Sequence, residues 1–63
     1  MMTPTLTTKQ AHTLVHLIRL VGNRRYQRIK HRLGIAPGVK VLDLDRAQAG
    51  GIIAELLREA GRR

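Results

Sequence analysis

Asn23-Arg24-Arg25-Tyr26-Gln27-Arg28-Ile29-Lys30-His31-Arg32-Leu33 carries five cations and no acid, and Gly34 follows it directly. Asn23 suits an N-cap, and Gly34 suits the position just past a helix C-terminus, so the stretch is expected to be a short helix. At 100° per residue, Tyr26, Ile29 and Leu33 fall within an arc of about 60°. Arg24, Arg25, Arg28, His31 and Arg32 take the opposite side, with Lys30 on the flank. One face should be core and the other a concentrated positive surface.

Upstream, Leu6-Thr7-Thr8-Lys9-Gln10-Ala11 spells a helix start. Thr7 can accept from the Gln10 amide, Gln10 can reach back, and Leu6 can staple onto Ala11. This helix is expected over Thr8–Val21, with Ala11, Leu14, Val15, Leu17, Ile18 and Val21 on one face and His12, His16 and Arg19 on the other. Gly22-Asn23 leaves room only for a sharp turn between packed neighbours. Residues 1–5 are expected to form a flexible tail, and residues 6–61 a single domain.

Downstream, Ile35 to Leu44 is the one stretch without helical pattern, an arm expected to send Val39, Val41 and Leu44 inward. Ala36-Pro37-Gly38-Val39 suits a type II turn, with Gly38 at the position that needs positive φ. Leu44-Asp45-Arg46-Ala47-Gln48-Ala49 then repeats the earlier grammar of staple leucine, capping oxygen, Gln and Ala. A third helix is expected over Arg46–Ala60, apolar along Ala49, Ile52, Ile53, Leu56, Leu57 and Ala60. Gly50 and Gly51 each cost about 1 kcal/mol there relative to Ala. Close packing against the first or second helix, or a groove for a partner, would account for them. The fold class read from these patterns is all-α: a three-helix bundle with a tight helix-turn-helix between the first two helices and an extended arm before the third.

The order of elements carries a resemblance. Leu6-Thr7 with Gln10, then Arg32-Leu33-Gly34-Ile35, then Val41-Leu42-Asp43-Leu44-Asp45-Arg46-Ala47-Gln48-Ala49, then Ile52-Ile53 and Leu56 is similar to small helical modules, often at the carboxyl ends, of phage recombination, replication and antirepressor proteins. In those modules a hydrophobic-Gly-Ile helix end leads through a short arm to a Leu-x-x-x-Gln-Ala helix start. The motif positions are caps and core, so the resemblance implies a fold and a mobile-element setting, and makes DNA the favoured polyanion. Gly50-Gly51 departs from the polar or small residues of the module.

Sixty-three residues make one domain near the lower limit of what a hydrophobic core stabilises alone. A homodimer or membership of a larger assembly would relieve that shortage. Cys, Phe and Trp are absent and Tyr26 is the only aromatic, so the core is expected to be aliphatic and without disulfides. No apolar run approaches the roughly 18 residues of a membrane span, and no signal-peptide pattern opens the chain; a cytoplasmic protein with no membrane partner is expected. All of the net charge of +8 lies in the first 42 residues, while the last 21 hold four cations and four acids. That asymmetry marks one end of the molecule as the face for a polyanion.

Chemistry beyond binding has little support. Ser and Cys are absent, which removes the usual acyl-transfer nucleophiles, and no enzyme activity or cofactor is expected. His12 and His16 lie at i and i+4, but no third ligand is near in sequence and Arg19 shares their face, so no metal site is expected. Glu55 and Glu59 read as like-signed neighbours on a solvated face.

Two readings of function follow. In the first, the second helix enters the major groove of duplex DNA, with RNA as a further possibility, and the nucleic-acid contacts are Arg19, Arg24, Arg25, Gln27, Arg28, Lys30, His31 and Arg32. Arg favours guanine and Gln adenine, and the same cations serve phosphate. In the second, the protein is a phage-type adaptor or inhibitor covering an acidic surface of a host protein. Leu20, on the polar side of the first helix, is then the apolar anchor that a protein interface needs at its centre.

Overall fold

Two capping boxes start the fold side by side. The Gln10 amide donates to Thr7 Oγ1 (3.0 Å) and Gln10 Oε1 accepts from the Thr7 amide (3.0 Å). The Gln48 amide donates to Asp45 Oδ1 (2.6 Å) and Gln48 Oε1 accepts from the Asp45 amide (3.1 Å). The Leu6 amide donates to the Leu44 carbonyl at 3.0 Å, Thr5 and Asp45 form an antiparallel bridge, and Gln10 Nε2 donates to the Arg46 carbonyl. Both boxes are the ones expected from the repeated grammar, and the contact between them ties the start of one helix to the start of another.

The computed structural model describes residues 5–61. They fold into α1 (Thr8–Val21), α2 (Asn23–Arg32) and α3 (Arg46–Gly61), with one 3-10 turn at Val41–Asp43 in the arm. This is the all-α three-helix architecture expected, and the described residues contain no strand. Of the anticipated flexible tail, residues 1–4 lie outside the described residues; Thr5 is held by its bridge to Asp45. Among the described residues no helix is long and apolar enough to cross a membrane.

The core takes Leu14 and Leu17 from α1, Tyr26 and Ile29 from α2, Ile35 and Leu44 from the arm, and Ala49, Ile52 and Leu56 from α3. Leu6, Ile18, Val21, Val39, Val41 and Ile53 pack around it, half-buried. Three expected core residues are instead exposed: Val15, Leu33 and Leu57. Val15 and Leu57 sit at the edges of their stripes, whereas Leu33 lies inside its arc and is exposed as the C-cap residue at the end of α2.

Local geometry departs from expectation at three turns. Gly22 (φ 98°, ψ 147°) ends α1 by donating to the Ile18 carbonyl and starts α2 by accepting from the Tyr26 amide. One residue thus serves both helices, so Asn23 lies inside α2 instead of capping it. At the other end Gly34 (φ 75°) donates to the His31 carbonyl and Ile35 to the Lys30 carbonyl, a Schellman motif that turns Ile35 into the core. The Pro37-Gly38 turn closes with the Val39 amide donating to the Ala36 carbonyl at 3.1 Å, but Gly38 lacks positive φ, so the turn is not type II. Gly50 and Gly51 are not forced by tight helix packing either. A Cβ at Gly51 would meet Leu33 Cδ1 at 3.6 Å and one at Gly50 would meet Gln10 Nε2 at 3.9 Å, ordinary contact distances.

Candidate nucleic-acid interface

The amino-terminal turn of α2 has no acid, and its cap residue, Gly22, brings no side-chain oxygen. Its unbonded amides carry the positive end of the helix dipole, and Arg24 and Arg25 add two guanidiniums to the same turn. Arg28 and Arg32 continue the row at one-turn intervals, all of them exposed. These four arginines line an open groove with Val21 and Ile29 beneath them and Glu59 of α3 on its wall. The structure therefore brings together half of the eight contacts expected from the sequence.

Two of the four are tied to α3. Arg25 Nη1 lies 2.8 Å from Glu59 Oε2, and Arg32 Nη1 lies 3.2 Å from Glu55 Oε2. Glu55 also holds Arg58 at 3.5 Å. Arg24 and Arg28 form no ion pair among the described residues. Glu55 and Glu59 are thus half-buried partners of α2, not members of a solvated face. The signal in the sequence was there: they are the only acids outside the arm and the α3 cap, and α2 has none of its own.

Lys30 corrects the expected surface more sharply. It is 2% exposed, and Nζ donates to the Val39 carbonyl at 2.6 Å and the Pro37 carbonyl at 3.2 Å while lying 5.0 Å from the Tyr26 ring centroid. The ammonium pins the arm to α2 and takes no part in a surface for polyanions. Arg19 and His31 are exposed and Gln27 is half-buried, but none of the three lines the groove. Tyr26 is buried, its hydroxyl has no hydrogen-bond partner among the described residues, and that burial pushes its pKa above the ordinary tyrosine value.

No protein-family model, curated protein or solved structure matches this chain.

Four guanidiniums against one carboxylate leave the lining of the groove net positive. Among the described residues no three His, Cys, Asp or Glu side chains gather to hold a metal ion. Leu20, the anchor expected for a protein partner, is 47% exposed on α1 and stands outside the groove lining.

Proposed function

We propose that the protein is a small nucleic-acid-binding module of phage or mobile-element type, that it holds duplex DNA along α2, and that it has no catalytic activity. The observation that carries this reading is the groove itself. Arg24 and Arg28 stand one turn apart beside an uncapped helix start, with no carboxylate to satisfy them among the described residues. Guanidiniums so placed meet phosphate oxygens or the guanine edge in charge-assisted, often bidentate bonds. Burial of Tyr26 argues for duplex over single strands, since in a chain without Phe or Trp it removes the one tyrosine on which bases would stack. The phage setting is supported by the capping and core motifs spread over most of residues 6–57.

Titration of duplex DNA, single strands and RNA at two salt concentrations tests the proposal. Arg24→Ala and Arg28→Ala should each weaken duplex binding with the helical spectrum intact. Loss of one phosphate contact should reduce the slope of log affinity against log salt by about 0.9. An arginine that reads a base should instead shift sequence preference, at about 1–3 kcal/mol for the preferred site. Charge reversal at both positions that leaves every nucleic-acid affinity unchanged would sink the reading. The exposure of Leu20 supports the second reading, an adaptor for an acidic host protein. In that case Leu20→Ala should abolish partner capture while DNA binding stays weak.

A further inference from the structure

Among the described residues, Glu59 is the one acid lining a groove whose other charged side chains are arginines. Its Oε2 sits 2.8 Å from Arg25 Nη1, where a phosphate oxygen would have to sit to make the same pair. The Arg25 side chain is 52% exposed and that of Glu59 23%, so water screens the pair and exchanging one anion for another there costs little. Arg24 and Arg28 face the same groove with no such partner among the described residues. We propose that Glu59 is a built-in counter-anion, which a nucleic-acid backbone displaces from Arg25 as it docks, so that the groove admits polyphosphate chains and turns away single anions.

The inference rests on the DNA-binding reading of α2 and adds a selection rule to it. A lone phosphate that replaces Glu59 at Arg25 gains about what is lost, and one that settles on Arg24 and Arg28 alone still feels the nearby carboxylate. A backbone presents phosphates in series. Once one of them is held by Arg24 and Arg28, the next confronts Arg25 at high effective concentration and wins the exchange. Glu55 plays a different part. It lies outside the groove lining and joins Arg32 to Arg58 across α2 and α3.

Glu59→Gln keeps the shape and removes the charge. Asp43→Asn, on the exposed 3-10 turn away from the groove lining, makes the same change in net charge and serves as the control. Fluorescence anisotropy with a short duplex should show Glu59→Gln binding about 3–10-fold tighter than wild type at low salt. Its salt slope should be steeper by about 0.9, and Asp43→Asn should stay within about twofold of wild type. In a parallel NMR titration, inorganic phosphate should shift the amides of Arg24, Arg25 and Arg28 in Glu59→Gln at concentrations that leave wild type unmoved. Equal duplex affinities for Glu59→Gln and Asp43→Asn overturn the proposal, and so does weaker binding by Glu59→Gln, which would make Glu59 an orienting partner of Arg25. If duplex binds neither form while phosphate shifts only Glu59→Gln, the counter-anion role stands and the DNA reading falls. A flat phosphate titration in both forms removes the counter-anion role whatever the duplex does.

Discussion

Lys30 shows how a charge is held inside so small a domain. Two carbonyl oxygens replace water around its ammonium, and the face of Tyr26 supplies a third, weaker attraction. Lys30→Met keeps most of the stem but leaves those carbonyls without their donor. We expect a loss of about 1–3 kcal/mol, read as a fall of roughly 4–8 °C in melting temperature per kcal/mol. Melting at the wild-type temperature would mean that the arm is held by apolar contact alone. Tyr26→Phe makes the contrast. Its hydroxyl has no partner among the described residues, so removing it should leave stability at neutral pH unchanged or slightly higher. The alkaline side fixes the sign: the native pKa is raised above the ordinary 10.0, so stability is whole below pH 10.0 and is lost as pH climbs through the native value. An alkaline melting series in which the Tyr26→Phe variant shows no relief of that loss would contradict the burial argument. The pairing of Lys30 with the arm was hard to read, because it depends on carbonyls seven and nine residues away. Its i, i+4 relation to Tyr26 was the one local hint.

Among elements, the helices whose ends carry side-chain caps were the most legible. Thr7 with Gln10 and Asp45 with Gln48 act within four residues, so short-range pattern places the starts of α1 and α3 where the structure has them. Asn23 misled for the same reason. Its fitness as a cap is local, whereas the economy of a single-residue link is set by how α1 and α2 pack. Gly50 and Gly51 are the remaining puzzle of α3, since neither approaches a neighbour closely enough to exclude a methyl group. Gly50→Ala and Gly51→Ala should therefore stabilise the protein by about 0.5–1 kcal/mol each, through the backbone entropy that Gly loses in a helix. Chemical denaturation gives the test, and a destabilised Gly51→Ala would show that Leu33 has no freedom to give way. Ile52 and Ile53 share the stripe expected on α3, but Ile53 is half-buried while Ile52 is sealed. The stripe on α3 is too wide for periodicity to rank its members.

For the molecule as a whole, the charge asymmetry was legible and its distribution in space was not. The acid-poor half and the balanced half are folded together, so that Glu55 and Glu59 cross from α3 to steady two arginines of α2. Pairings across more than twenty residues leave no trace in spacing. The molecule extends 39 × 22 × 15 Å. At about 0.01 M salt the screening length is roughly 30 Å, so nearly every charge feels the rest of the +8; at 0.15 M it is about 8 Å and only neighbours interact. The three ion pairs among the described residues are exposed on the arginine side and worth about 0–1 kcal/mol each. Self-repulsion should outweigh them, and melting temperature should rise with added salt across that range. A steady fall instead would mean that the α2–α3 pairs dominate the electrostatics.

Gly22 has a mechanical consequence. A single residue joins α1 to α2, so one pair of backbone angles aims the whole arginine row. Ten residues at 1.5 Å each make a rod of about 15 Å, and a tilt of about 10° at its root swings the far end by about 2.6 Å. That displacement is comparable to the length of a hydrogen bond, so the lever must be stopped for the row to keep its register against a rigid partner. Arg25–Glu59 acts close to the pivot and is the pair that a docking backbone would break, while Arg32–Glu55 acts close to the tip and stays. The weaker-looking of the two pairs, at 3.2 Å, therefore works with the longer arm and has the greater leverage over where α2 points.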